Sequence, residues 1–133
     1  ALACLNAGKH VLLEKPFATS VAEAESLVKT AKTNGLILSV GFHLRSHNGH
    51  RALFDSIVNQ QSIGKLRHIR AIWAFPQTDT SNWRAQKELG KWWSLAAVGS
   101  HCLDLARWYA RDMDDWANFN AMISRQIWNG PHD

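Results

Sequence analysis

The sequence predicts an α/β chain in which a short parallel β-α-β unit is followed by a second region of different pattern. Three observations carry this. Two apolar runs, residues 10–13 and 36–40, flank a stretch with helical periodicity and recognisable helix ends. The pattern changes beyond Gly41, and all seven tryptophans lie from Trp73 onward.

Residues 1–7 suit the last turns of a helix, closed by Gly8, which tolerates the left-handed backbone of a C-terminal cap. His10-Val11-Leu12-Leu13 then reads as a short buried strand. Ser20 with Glu23 three residues on is a capping box that satisfies two orphan amides at a helix start. Val21, Ala24, Leu27, Val28 and Ala31 follow at helical spacing, and Gly35 ends the helix. Residues 36–40 give a second apolar strand, so that residues 10–40 form a β-α-β unit with parallel strands and a right-handed crossover, the terminal part of a Rossmann-like sheet.

Beyond Gly41, Leu53, Phe54, Ile57 and Val58 mark an amphipathic helix, and Ser62-Ile63-Gly64 turns the chain. Residues 67–75 alternate, with Ile69, Ala71, Trp73 and Phe75 on one face, and predict a long strand covered on that side. Residues 98–110 predict a helix with Val98, Cys102, Leu105 and Tyr109 inward, and residues 117–128 a further strand.

Composition bounds the function. The chain has 133 residues, 46% hydrophobic and 20% charged, which suits an ordinary folded domain with a core. No run approaches the ~20 apolar residues that cross a bilayer, and no basic segment followed by an apolar core and cleavage site opens the chain, so no membrane partner is expected. Cys4 and Cys102 are too few for a disulfide framework, which favours a reducing, cytoplasmic setting. A net charge of +4 without a basic cluster interleaved with aromatics points to a solvated surface and no nucleic-acid partner.

Candidate chemistry sits at two places. Glu14-Lys15-Pro16 follows the first strand, where the proline keeps Lys15 out of the helical region and its side chain can project into a crevice at the sheet's carboxyl edge. Such a lysine can bind a ribose and polarise or protonate a substrate hydroxyl; the plainer reading is a surface lysine in a tight turn. His101 and Asp104 are three apart and share a helix face. The histidine can remove a hydroxyl proton as general base, or stand as a backbone-satisfied residue at a helix start, with Asp104 in an ordinary salt bridge. His43, His47 and His50 have no cysteine or carboxylate at ligand spacing, so no metal is expected. No pair of glycines has the G-x-G spacing of a dinucleotide-binding loop.

The segment Ala7-Gly8-Lys9-His10-Val11-Leu12-Leu13-Glu14-Lys15-Pro16 resembles the AGKHV-x-x-EKP segment of the Gfo/Idh/MocA oxidoreductases. Val40-Gly41-Phe42-His43-Leu44-Arg45, Ile63-Gly64-Lys65-Leu66, Trp83-Arg84 and Gly99-Ser100-His101-Cys102-Leu103-Asp104 agree with it in order and spacing. The resemblance covers nearly the whole chain but only the middle of a family member. It implies residues 1–42 as the C-terminal remnant of a Rossmann-type dinucleotide-binding domain. Residues 43–133 would then be the N-terminal part of an open-sheet α+β substrate and oligomerisation domain.

By the same resemblance Lys15 and His101 are the catalytic pair, and Glu14, Lys15 and Pro16 touch an NAD or NADP cofactor. Arg45, Trp83, Arg84 and Asp104 contact a sugar or polyol substrate, and copies of the chain associate as a homo-oligomer, commonly a dimer. One departure stands out. Family members that oxidise sugars and inositols carry an aspartate four residues before the histidine, whereas this chain has Ala97. Two expectations follow: a fragment of an NAD(P)-dependent sugar or polyol oxidoreductase that does not hold its cofactor alone, or a truncated, non-catalytic association or ligand-binding module.

Overall fold

The computed structural model describes residues 1–74, 94–113 and 116–122. The chain divides into two compact units, Ala1–Ser46 and His47–Asp133. Among the described residues no helix is long and apolar enough to cross a membrane.

The first unit has α/β construction. Helix α1 (Leu2–Asn6) leads to strand β1 (Val11–Leu13), helix α2 (Val21–Thr33) and strand β2 (Leu38–Val40). The strands pair in parallel, Val11 with Leu38, Leu12 with Ser39 and Leu13 with Val40. The expected strands 10–13 and 36–40 are shorter in the ladder proper, for a local reason. The Ile37 amide donates to the His10 imidazole Nδ1 at 2.9 Å, so a side chain takes the place of the next rung. The strand is also not buried on both faces: Leu12 is 77% exposed, while Val11 and Leu13 pack on the core.

That core is Leu5, Leu27 and Ala31, flanked by Val11, Leu13, Phe17, Leu36 and Leu38. Helix α2 reaches it because both its ends are satisfied locally. Ser20 Oγ accepts from the Glu23 amide at 3.3 Å. The Glu23 carboxylate reaches back to the Thr19 amide and hydroxyl, each at 3.0 Å, one residue further than a capping box requires. At the other end the Leu36 amide donates to Ala31 O (2.8 Å) and the Gly35 amide to Lys32 O (3.2 Å), with Gly35 at φ +63°. This is a Schellman closure, and Gly8 at φ +71° ends α1 in the same way, with Lys9 N donating to Cys4 O. Val21, expected inward, is 74% exposed; it opens the helix, where no further turn carries it onto the core.

The second unit begins with helix α3 (Asn48–Phe54), which runs into a π-helical turn (Asp55–Asn59). It starts earlier than the hydrophobic pattern indicated because His47 Nδ1 accepts from the Gly49 amide as a cap. Ser62-Ile63-Gly64 does turn the chain, Gly64 at φ +71° donating to Gln61 O at 2.8 Å. Residues 67–74 carry no strand ladder; Phe75 lies outside the described residues. Alternation marks one apolar face, but a strand also needs a neighbour on its hydrogen-bonding edge, and none stands there among the described residues. Of the expected face, Ile69 is half-buried while Ala71 and Trp73 are exposed. Residues 117–122 likewise form no strand, and 123–128 lie outside the described residues.

The helix expected over 98–110 is a π-helical turn (Leu95–Gly99) followed by α4 (Ser100–Tyr109). Its buried residues are His101 and Asp104, followed by Ala110 just past its end. Val98, Cys102, Leu105 and Tyr109 are only half-buried, so the inward face is rotated from the apolar one.

Candidate active site

In the first unit the candidate residues stand at the strand ends. Glu14, Lys15 and Pro16 follow β1 directly; Glu14 is exposed and Lys15 half-buried, and the Lys15–Pro16 peptide is cis. Phe17 packs against the core and anchors the turn behind them. Across the sheet, Gly41 follows β2 and its amide donates to Leu13 O at 2.8 Å, prolonging the ladder by one bond. The Glu14 carboxylate lies beside it: a Cβ at position 41 would stand 3.8 Å from both carboxylate oxygens. Arg45 sits on the 3₁₀ turn His43–Ser46 and is exposed. These groups share the carboxyl edge of a parallel pair, where open α/β sheets take their ligands.

The helix that follows this edge offers no cradle for a pyrophosphate. At the N-terminus of α2, Ser20 Oγ takes the Glu23 amide, and the Glu23 carboxylate, bonded to Thr19 just before the cap, sets a negative charge beside the amides that would attract a phosphate. The two hydrogen bonds from Thr19 hold the Glu23 carboxyl below its ordinary value of 4.5. A negative charge thus stands beside the start of α2, while Glu14 and Lys15 stand at the end of β1.

In the second unit α4 buries its ionisable residues. His101 is 4% exposed and Asp104 8%, whereas Leu103 between them is 48% exposed. The i, i+3 spacing puts both polar side chains on the buried face, and the His101 Nδ1 atom is inaccessible to solvent. The Trp73 indole stacks on the His101 ring, with centroids 5.6 Å apart and planes 26° from parallel. Ala97, in the π-helical turn before α4, is half-buried and supplies no carboxylate. Turns of this kind are frequent beside functional residues. Trp83 and Arg84 lie outside the described residues.

The histidines of residues 43–50 are partly accounted for by packing. His47 caps α3. His50 Nδ1 stands 3.0 Å from the Tyr109 hydroxyl, which also donates to His50 O at 3.3 Å and so ties α3 to α4. Burial pushes the Tyr109 phenol above its ordinary value of 10.0. Phe54 stacks on Trp108 at 4.3 Å, with the Arg111 guanidinium 4.7 Å from its ring centre, completing the packing between these helices. A cavity of about 520 Å³ along α4, lined by Leu66, Ile69, Cys102, Leu103, Met113 and Trp116 among others, is mainly apolar and includes neither His101 nor Asp104.

Sequence reasoning placed Lys15 at a strand end and His101 with Asp104 on one helix face. It missed the Trp73 stack, whose only signal was an aromatic in an alternating segment, and the Tyr109–His50 tie.

The family model described as "Oxidoreductase family, NAD-binding Rossmann fold" matches residues 1–42, and that described as "GFO/IDH/MocA C-terminal domain" matches residues 52–131. Levoglucosan dehydrogenase of Pseudarthrobacter phenanthrenivorans is 26% identical over 96% of this chain and 33% of its own length. The 1,5-anhydro-D-fructose reductase of Ensifer adhaerens is 32% identical over 84% of this chain and 33% of its own length. The scyllo-inositol 2-dehydrogenase (NADP(+)) of Bacillus subtilis is 29% identical over 77% of this chain and 28% of its own length. The chain thus spans about a third of the length of these curated relatives. No solved structure matches it significantly. With both family models in chain order and the second covering more than half of the residues, this chain belongs to the Gfo/Idh/MocA family of oxidoreductases.

Proposed function

We propose that this chain carries the acid–base residues of an NAD(P)-dependent oxidoreductase acting on a sugar, polyol or related hydroxy compound. The observation that carries the reading is the inverted face of α4, which buries His101 and Asp104 and leaves Leu103 in solvent. Burying two ionisable groups opposes folding unless their interactions repay it, and such burial concentrates at functional sites. The named activities of the relatives, dehydrogenases and reductases of ring sugars and inositol, agree with the substrate class.

When bound, the nicotinamide accepts or gives the hydride at the carbinol carbon. Lys15, beside Glu14 and Pro16 at the end of β1, hydrogen-bonds the cofactor ribose and steadies the substrate oxygen through its ammonium group. His101 takes the hydroxyl proton in the oxidising direction and returns it in the other. Its Nδ1 is sealed from solvent, so Nε2 is the nitrogen assigned to that exchange. Asp104, one turn further along the same face, contacts a second substrate hydroxyl, as do Arg45, Trp83 and Arg84. In this reading residues 1–42 and 43–133 are parts of the cofactor and substrate domains of a cytoplasmic enzyme. The chain alone does not hold NAD or NADP, because its strand-end residues come without a phosphate cradle at α2. Copies associate through exposed apolar residues such as Leu12 and Ile72; a clean 15.0 kDa particle by light scattering at micromolar concentration contradicts that association.

One feature favours a second reading, a non-catalytic association or ligand-binding module: where the family resemblance implies an orienting aspartate, this chain has Ala97. The experiment that decides joins this chain to the glycine-rich β-α-β unit of a relative and follows reduced-nicotinamide absorbance with levoglucosan and inositols. Turnover by the joined protein, and calorimetric silence of the 133-residue chain toward NADH and NADPH, are expected. A joined protein that folds and binds NADH yet oxidises none of these compounds overturns the catalytic reading. A low-micromolar dissociation constant for the chain alone overturns the cofactor half.

A further inference from the structure

Trp73 is set apart from the other aromatic contacts of the second unit by what it touches and by how little it is buried. Phe54, Trp108 and Tyr109 pack on one another between α3 and α4. Trp73 instead lies in a segment without ladder hydrogen bonds, keeps 43% of its surface in solvent, and sets its ring against a histidine that is 4% exposed. A tryptophan placed for core packing would be covered; this one covers something else. With ring centroids 5.6 Å apart and planes 26° from parallel, the pair has offset-stacked geometry, which fixes the tilt of the smaller ring.

From this geometry we propose that Trp73 is the positioning residue of His101, holding the plane of the imidazole by stacking. The inference rests on the reading of His101 as the base, but its test does not. An imidazole under an indole face feels the ring current, so the His101 ring protons of the 133-residue chain resonate upfield of the chain's other six histidines. In Trp73→Leu they move into the range of the others, and in Trp73→Phe, whose ring current is weaker, they keep part of the displacement. Unchanged His101 shifts in a folded Trp73→Leu chain overturn the proposal. Should Trp73→Leu not fold, a folded Trp73→Phe chain decides: a displacement equal to that of the unmodified chain overturns the proposal, and a reduced one supports it. In the joined protein, Trp73→Leu lowers kcat by about 10- to 100-fold at nearly unchanged KM, as a misplaced base requires, and Trp73→Phe restores most of the loss. A fall in KM-limited binding alone, with kcat intact, overturns the positioning role. A His101→Asn variant that keeps full turnover would instead end the base reading and leave the stacking result standing.

Discussion

Helices α2 and α4 follow opposite rules. The first has a side-chain cap at its start, a left-handed glycine at its end, and Leu27 and Ala31 turned into the core. The second starts from a π-helical turn without a side-chain cap, buries a histidine and an aspartate, and exposes a leucine. In α2 the caps and the core positions Leu27 and Ala31 agree with the tertiary environment, with Val21 the exception; in α4 the apolar preference is overruled. Departures of this kind are expected where a fold has been bent to a task, and the contrast is what the proposed function rests on.

The largest effect that can break the comparison lies in the scaffold. Leu27→Ala removes a nearly buried side chain from a small core and is expected to destabilise the first unit by about 2–5 kcal/mol, read by urea unfolding. A loss below ~1 kcal/mol would mean that Leu5, Leu27 and Ala31 are not the core. Next comes Gly35→Ala. The space around Gly35 is open, so the cost is conformational only, about 1–2 kcal/mol for an L-residue held at φ +63°. A neutral outcome would show that α2 can end without this closure.

Two pH measurements sharpen the comparison with smaller effects. Tyr109 is the chain's only tyrosine, and burial raises its pKa, so the folded chain holds the phenol proton more tightly than the unfolded one. Its contribution is complete below 10.0 and is lost as pH rises through the raised value. Absorbance titration should show tyrosinate forming above 10.0 while the chain is folded; a titration at 10.0 or lower contradicts the buried α3–α4 tie. Glu23 works with the opposite sign. Its carboxylate is favoured in the folded state by Thr19, so its contribution is present above 4.5 and fades as pH falls through the lowered value. Proton exchange of the Thr19 amide should quicken over that acid range; exchange indifferent to pH there, beyond the intrinsic chemistry, contradicts the cap.

The same contrast explains what was legible in the sequence. Ser20, Glu23, Gly8 and Gly35 announce helix ends through interactions that close within a few residues, and both helices end where they indicate. Even there the carboxylate of Glu23 bonds Thr19 rather than Ser20, a choice made by side-chain reach. The inward face of α4 was not legible. Val98, Cys102 and Leu105 form the apolar stripe, but which stripe is buried depends on what packs against it, and here Trp73 from a distant segment covers His101. Residues 67–74 form no ladder among the described residues for a related reason, since alternation reports a face and says nothing of a partner edge. The positions of Lys15, His101 and Asp104 came from motif resemblance joined to strand-end and helix-face geometry. Trp73 carried no motif and emerged only from the fold.

The central claim is that α4 buries His101 for chemistry rather than for packing. The most direct measurement is turnover and thermal stability of His101→Asn, side by side, in the protein joined to a glycine-rich β-α-β unit. The account predicts a loss of about 10²–10⁴-fold in kcat with a melting temperature within a few degrees of the parent. A variant that melts far earlier, or one that folds normally and turns over at the parent rate, would contradict it.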